Sequence, residues 1–247
     1  MFNIFKSKRK ELSEDIDLSV LVTDIHSHFI PGIDDGSKSM EESIFLLKQM
    51  EEFGYKKVIT TPHVYYNSFP EGIDILDQKV EELRRNAKFN GIKLQIEVGG
   101  EYLLDDDIKE RIKNNQIKTF SDNYMLIEFP MTTEPMAYEN WLFDLQLAGY
   151  NLVLAHPERF LYFYEDKKKY VSLKDRGILF QMNIGSLSGY YGPKVKEVAE
   201  YLIKENMIDL IGSDCHGQRH IDAMKSTLRS PLLKQLIDSG KLINNKL

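Results

Sequence analysis

Apolar runs in this chain end repeatedly on a histidine or an acid, and that recurrence constrains the fold more than any single motif. Val20-Leu21-Val22 leads into Thr23-Asp24-Ile25-His26-Ser27-His28. Lys57-Val58-Ile59-Thr60-Thr61-Pro62 closes on His63, and Leu152-Val153-Leu154-Ala155 closes on His156. Ile208-Asp209-Leu210-Ile211-Gly212-Ser213 closes on Asp214, with His216 two residues on. Glu101 and Glu128 stand in the same way after the runs that begin at Leu94 and Tyr124. Short apolar runs read as strands, and residues two apart on a strand share a face, so His26 and His28 can aim at one point. Of six histidines, all but His220 occupy such positions. Histidines scattered by core packing alone have no reason to collect at strand ends.

Helical patterns separate the runs. Ser39-Met40-Glu41-Glu42 has the spacing of a capping box and opens a helix with Ile44, Leu47 and Phe53 near one face and Gly54 at its exit. Further helices are expected at about 73–89, through Ile108 and Ile112, around Trp141–Leu145, at about 165–175, at 193–205 and at about 219–238. Gly185 to Gly192 reads as a flexible loop, and Tyr65 to Pro70 as an aromatic one. Strand and helix thus alternate with a period of roughly thirty residues, the signature of a parallel sheet with helical crossovers. An open doubly wound sheet gathers ligands at one switch point. Here nearly every strand end carries a candidate ligand, which requires the ends to form a ring, as they do at the C-terminal face of a β/α barrel. The expectation is one α/β domain, a barrel of about seven strands over residues 19–247, preceded by a tail of residues 1–18.

The candidate set of His26, His28, His63, Glu101, Glu128, His156, Asp214 and His216 exceeds what one tetrahedral ion takes. Imidazole and carboxylate without thiolate suits manganese, iron or zinc, and two to three clustered divalent ions sharing a carboxylate such as Glu101 is the economical arrangement. Such clusters serve hydrolysis of phosphate esters. Arg159, three residues after His156, and Arg219, three after His216, fall on the same rim, where guanidinium forks match phosphate oxygens. Surface ion pairs of Arg159 with Glu158 and of Arg219 with Asp222 are the plainer alternative. Cys215 should face away from its neighbours Asp214 and His216 by strand alternation, so no thiol nucleophile is expected.

Composition narrows the rest. Net charge is −6, which disfavours a nucleic-acid partner in the absence of a basic stripe. A single cysteine permits no internal disulfide and fits a reducing compartment. No run of about twenty apolar residues suggests stable membrane insertion. In Met1–Lys10 the basic residues follow a very short apolar patch, the wrong order for a secretory signal, so the cytoplasm is expected.

Asp24-Ile25-His26-Ser27-His28, Pro31-Gly32-Ile33-Asp34-Asp35-Gly36, Thr60-Thr61-Pro62-His63, Leu126-Ile127-Glu128-Phe129-Pro130, Ala155-His156-Pro157-Glu158-Arg159 and Ser213-Asp214-Cys215-His216 together resemble the PHP (polymerase and histidinol phosphatase) superfamily. They look most like its branch of bacterial capsule-type, manganese-dependent protein-tyrosine phosphatases, in order from about residue 22 to the C-terminal helix. The resemblance implies a distorted TIM-like (β/α)7 barrel holding three metal ions. It implies dephosphorylation of tyrosines on the tail of a bacterial tyrosine kinase that controls polysaccharide export, with recruitment to the inner face of the membrane through that kinase. It carries the eight metal ligands over to the positions above, makes Arg159 and Arg219 phosphate-holding arginines, and places Asp35 near the catalytic centre as a candidate proton donor. Val64 departs from the pattern, since relatives often carry a histidine or polar residue there, and the segment from His216 to Arg219 is short. Tyr65, Tyr66, Phe69, Tyr190 and Tyr191 fall on rim loops and could flank an aromatic substrate. The competing expectations are a small-molecule phosphomonoesterase of the histidinol-phosphatase kind, a metal-dependent nuclease, and an inactive metal-bound module that docks a kinase.

Overall fold

The computed structural model describes residues 15–65, 68–69 and 72–247. Among the described residues nine strands form two all-parallel sheets: β1 (Thr23–Asp24), β2 (Lys57–Thr60) and β4 (Gln95–Val98) in one, and β3 (His63–Val64), β5 (Glu101–Leu103), β6 (Tyr124–Glu128), β7 (Asn151–Ala155), β8 (Leu179–Asn183) and β9 (Leu210–Gly212) in the other. The two sheets are one surface. β2 runs into β3 across Thr61-Pro62, and β4 runs into β5 across Gly99-Gly100, so the nine strands are seven passes of chain. Proline has no N–H for the ladder, which accounts for the first break. Hydrogen bonds bridge both breaks, from Thr61 N–H to Ser27 C=O (2.7 Å), Gly99 N–H to Thr60 C=O (3.0 Å) and Glu101 N–H to Pro62 C=O (3.0 Å).

The last pass returns to the first. Ser27 pairs in parallel with Cys215, Asp214 N–H donates to His26 C=O (2.8 Å), and His28 N–H donates to Cys215 C=O (3.1 Å). Below them Asp24 accepts from the N–H and O–H of Ser213 at 2.8 and 2.7 Å. Asp24 is fully buried, and that burial pushes its carboxyl up to about 7 against the pull of the Ser213 bonds. The expected ring of seven passes is therefore present, distorted by the two breaks and by a very short β1.

The outer helices are α1 (Met40–Glu52), α2 (Ile75–Phe89), α3 (Ile108–Lys113), α4 (Tyr138–Leu147), α5 (Lys168–Asp175), α6 (Pro193–Lys204), α7 (Gln218–Thr227) and α8 (Pro231–Asp238). The Ser39 side chain caps α1 by accepting from Glu42 N–H, as its spacing predicts. The main apolar core lies between these helices and the strands. A second cluster, Ile59, Phe120, Leu126, Val153 and Leu210 among others, fills the barrel lower on the strands. Leu126 and Glu128 share one face of β6, so the inward face is apolar at depth and polar only at the C-terminal ends. Each fully buried aliphatic side chain there contributes about 1.5–3 kcal/mol, a rigid floor for the polar rim.

Three expectations change. Residues 1–14 of the expected tail lie outside the described residues, but residues 15–18 belong to the body: Leu18 is buried, Ile16 N–H bonds Leu228 C=O, and Asp15 pairs with Arg229. The Gly185–Gly192 segment is no flexible loop. Ile184–Ser188 is a 3-10 turn with Ile184, Gly185, Ser186 and Leu187 buried, because two apolar side chains in a polar stretch still find the core. The expected last helix is two, α7 and α8, separated where Ser230 caps the second and Pro231 opens it.

Candidate metal centre

Register brings the candidate ligands together. On adjacent passes His63 lies opposite Glu101, and Leu103 opposite Glu128. His26 and His28 follow β1, His156 follows β7, and Asp214 and His216 follow β9. His156 (φ 36°, ψ 53°) and Asp214 (φ 48°) both adopt left-handed backbone as they leave their strands. For residues with a Cβ this conformation costs on the order of 1–3 kcal/mol and collects at functional sites. Here it turns His156, one residue past the inward-facing Ala155, into the barrel mouth, where continued strand alternation would not.

All eight predicted ligand side chains converge. His26 Nε2 lies 3.2 Å from His28 Nε2, 3.2 Å from Glu101 Oε2 and 3.4 Å from Asp214 Oδ1. His63 Nδ1 lies 3.0 Å from Glu101 Oε2 and 3.3 Å from Glu128 Oε1, and His156 Nε2 lies 2.9 Å from Glu101 Oε1. Glu101 therefore touches four histidines and is the natural shared ligand. Several of these close atoms are not hydrogen-bonded: His63 Nδ1, Glu101 Oε2 and Glu128 Oε1 are buried without a partner. Buried polar atoms normally have partners, and lone pairs packed this way without alignment on one another fit cations among them. Four overlapping groups have ligand atoms mutually within 4.8 Å: His28, Asp35, His63 and His216; His26, His28 and Asp214; His26, Glu101 and His156; and His63, Glu101 and Glu128. The charge balance agrees. Burial alone would lower His63, but Glu101 and Glu128 outweigh it and lift the imidazole to about 10. The carboxylates thus demand positive charge, which protons satisfy until a cation replaces them.

The loop Pro31–Gly36 supports this cluster. Asp34 accepts from His28 Nδ1–H (2.8 Å) and His63 N–H (3.2 Å) through one oxygen and from Gly36 N–H (2.9 Å) through the other. Carboxylates orient ligating histidines in this way in metal sites generally. Its neighbour Asp35 is 73% exposed, with Oδ1 3.4 Å from His63 Nε2 and 3.2 Å from His216 Nε2. The two adjacent aspartates therefore divide the work: Asp34 holds the loop and His28, and Asp35 faces the mouth.

A cavity of about 570 Å³ opens above the cluster, with Asp35, His63, Glu128, Asp214 and His216 on its floor and Tyr65, Met131, Arg159, Tyr190, Tyr191 and His220 on its walls. Arg159 donates to Asp214 Oδ2 (3.0 Å) and lies over the Tyr191 ring at 4.5 Å. It does not pair with Glu158, which is buried and accepts from Asn183 N–H and the Ser186 hydroxyl. Arg219 lies elsewhere. It is exposed in the first turn of α7 and does not line the cavity, whereas the next residue, His220, does. The phase of α7, set by its buried Ile221 and Met224, turns position 220 toward the mouth. His216 precedes α7, so no helix-face spacing in the sequence linked His220 to it. Tyr65 stacks on His63, Tyr190 is 41% exposed beside His220, and Phe69 packs on the core; Tyr66 lies outside the described residues. Val64 is buried in the core. Cys215 is buried away from the cavity, and burial pushes its thiol up, as expected of a structural cysteine.

The family model for capsular polysaccharide synthesis proteins, CpsB/CapC, matches residues 22–237. The chain belongs to that family. CapC of Staphylococcus aureus is 32% identical over 222 residues, 90% of this chain and 84% of that protein. The tyrosine-protein phosphatase YwqE of Bacillus subtilis is 30% identical over 195 residues, 78% of this chain and 77% of that protein. A solved structure described as belonging to YwqE from Bacillus subtilis and CpsB from Streptococcus pneumoniae, metal-dependent tyrosine phosphatases, matches with a TM-score of 0.78 at 28% identity. It covers 90% of this chain and 94% of that chain. Among the described residues no helix is long and apolar enough to cross a membrane.

Proposed function

We propose that this CpsB/CapC member is a metal-dependent protein-tyrosine phosphatase whose substrate is a phosphorylated tyrosine on the tail of a bacterial tyrosine kinase of polysaccharide export. The observation that carries the reading is the convergence of unpartnered histidine and carboxylate atoms beneath a cavity walled by Arg159 and two exposed tyrosines. The donor set of His26, His28, His63, Glu101, Glu128, His156, Asp214 and His216 suits two to three divalent ions, with manganese our assignment and iron or zinc chemically acceptable. Such ions supply Lewis acidity toward both a phosphoryl group and water.

The chain's own groups do the rest. The Arg159 guanidinium, fixed by Asp214 and Tyr191, presents its free N–H groups to phosphate oxygens, where charge-assisted bonds strengthen as the transition state develops. Asp35 is assigned a role at the mouth, and its surroundings decide which one. Hydrogen bonding from His216 and the nearby histidines hold its carboxyl well below the usual range, which keeps it ionised and suits holding a cation better than either accepting a proton or donating one to the leaving phenolate. Arg219, exposed on α7, could reach a peptide beyond the phosphotyrosine side chain but not the cavity floor. Docking on a membrane-anchored kinase would place the enzyme at the cytoplasmic face, and among the described residues no helix is long and apolar enough to cross the membrane.

The test is hydrolysis of a phosphotyrosine peptide by metal-stripped protein restored with manganese, beside His156→Ala and beside an alkyl phosphomonoester. Turnover of the peptide that returns with metal and is lost in the variant is expected. Stoichiometric metal binding with no peptide turnover would overturn the proposal, and turnover of the alkyl ester alone would replace it with a small-molecule phosphatase.

A further inference from the structure

Among the described residues β8 is the one pass whose end contributes no histidine, aspartate or glutamate to the cluster. Its inward positions two apart are amides, Gln181 and Asn183, both fully buried. They join two metal ligands that come from opposite ends of the chain. His26 Nδ1 meets Gln181 Oε1 at 2.8 Å, Gln181 Nε2 donates to Asn183 Oδ1 at 2.8 Å, and Asn183 Nδ2 donates to Asp214 Oδ2 at 2.7 Å. The second proton of that NH2 group points to the Tyr191 hydroxyl at 3.3 Å, beneath Arg159.

The direction of every bond in this chain is dictated by its end. An ionised carboxylate only accepts, so Asn183 must turn its NH2 to Asp214 and its oxygen the other way. Gln181 must then give its NH2 to that oxygen and its own oxygen to His26. Facing an acceptor, His26 must carry its proton on Nδ1, which leaves the Nε2 lone pair free toward the cluster. The opposite tautomer would set two lone pairs face to face, and rotating the amides to relieve this only moves the conflict to Asp214.

A separate observation shows that space is reserved for this contact. On β9 a Cβ at Gly212 would stand 2.9 Å from Gln181 Nε2 and 2.9 Å from His26 Cβ. Gly212 pairs with Asn183 across the ladder, and its φ is not positive, so the need for glycine is room rather than backbone freedom.

We propose that Gln181 and Asn183 are positioning residues that read the carboxylate of Asp214 and lock His26 in the Nδ1–H tautomer, presetting Nε2 as a metal ligand. The inference rests on the reading of the cluster as a metal centre, and the two fail separately. If the wild-type chain binds no divalent ion, the metal centre falls; if it binds ions and the variants bind equally well, only the relay falls.

The experiment titrates metal-free protein with Mn2+ and Zn2+ against a chromophoric chelator, and records imidazole 15N spectra of the metal-free protein at alkaline pH, where the imidazole is neutral and no metal dictates its tautomer. Gln181→Met, which offers His26 no oxygen, is expected to lower affinity about 10- to 100-fold and to give His26 signals of mixed tautomers. Gln181→Glu keeps an acceptor facing Nδ1 but turns its second oxygen on Asn183 Oδ1, so the single Nδ1–H signal should survive while the link to Asp214 is lost and the affinity recovers only in part. Wild-type affinity and a pure Nδ1–H signal in Gln181→Met would overturn the proposal. Should that variant fail to fold by circular dichroism, Gln181→Glu decides alone: a His26 protonated on Nε2 in it would equally overturn the relay.

Discussion

Gly36→Ala adds one methyl group where the structure has no place for it. The new Cβ would stand 2.4 Å from His28 Cβ, 2.4 Å from His28 O and 2.9 Å from Asp34 Oδ1. Carbon atoms pack at about 3.5–4.0 Å, so the loop or His28 must move by roughly an ångström. The φ of Gly36 is not positive, so no backbone strain is added, and the loss of unfolded-chain freedom, about 0.4–1 kcal/mol in favour of Ala, only works against the clash. Neither side gives easily. His28 O accepts from Ser37 N–H (3.0 Å), and Asp34 clamps both the His28 ring and the His63 backbone. Overpacking of this kind costs about 1–3 kcal/mol. For a domain of this size each kcal/mol shifts Tm by about 2–4 °C, so calorimetry of the metal-free variant should show a fall of about 2–12 °C. Because the displaced element carries the His28 imidazole and its orienting carboxylate, metal affinity should also fall at least about tenfold. A Tm within about 1 °C of wild type together with unchanged manganese affinity would refute the argument that the Pro31–Gly36 loop is a fitted support for the site.

Arg159→Lys keeps the charge but loses the fork and the stacking on Tyr191, so kcat/KM for a phosphotyrosine peptide should fall about 10- to 100-fold, the cost of one or two charged hydrogen bonds. Metal content measured by mass spectrometry should stay unchanged; a full complement of activity would remove Arg159 from phosphate binding. Asp34→Asn turns an NH2 group toward either His28 Nδ1–H, His63 N–H or Gly36 N–H, all donors, and a drop of about tenfold in metal affinity is expected from chelator competition. Tyr190→Ala, at the exposed rim, should raise KM for aryl phosphates and leave that for a small alkyl phosphate unchanged; equal effects on both would rule out a contact with the substrate ring.

The candidate ligand set was legible because each member sits at a place that sequence alone marks: the polar residue that ends an apolar run. A strand's side-chain period then aims His26 and His28 together, and the regular strand–helix alternation closes the ends into a ring. The supporting groups were not legible. Gln181 and Asn183 look like ordinary inward strand residues, and only the register of β8 against β7 and β9 places them between His26 and Asp214. Asp34 and Asp35 are indistinguishable as neighbours in a turn, until Gly36 N–H and His28 capture one and leave the other to the mouth.

Arg219 shows the limit most clearly. Its spacing from His216 placed it on the correct rim, but a helix turns about 100° per residue, so a rim position says nothing about direction until the packing of Ile221 and Met224 fixes the phase of α7. The sequence by itself determined which elements form, which end of each carries the chemistry and which metal-ligating types gather there, because those depend on local periodicity and on the identity of the residue at each strand end. Tertiary structure alone decided which of two adjacent side chains faces the cavity, which buried amide orients which imidazole, and where a glycine must leave room. Those depend on contacts between segments far apart in the chain, whose relative register and rotation no local pattern encodes.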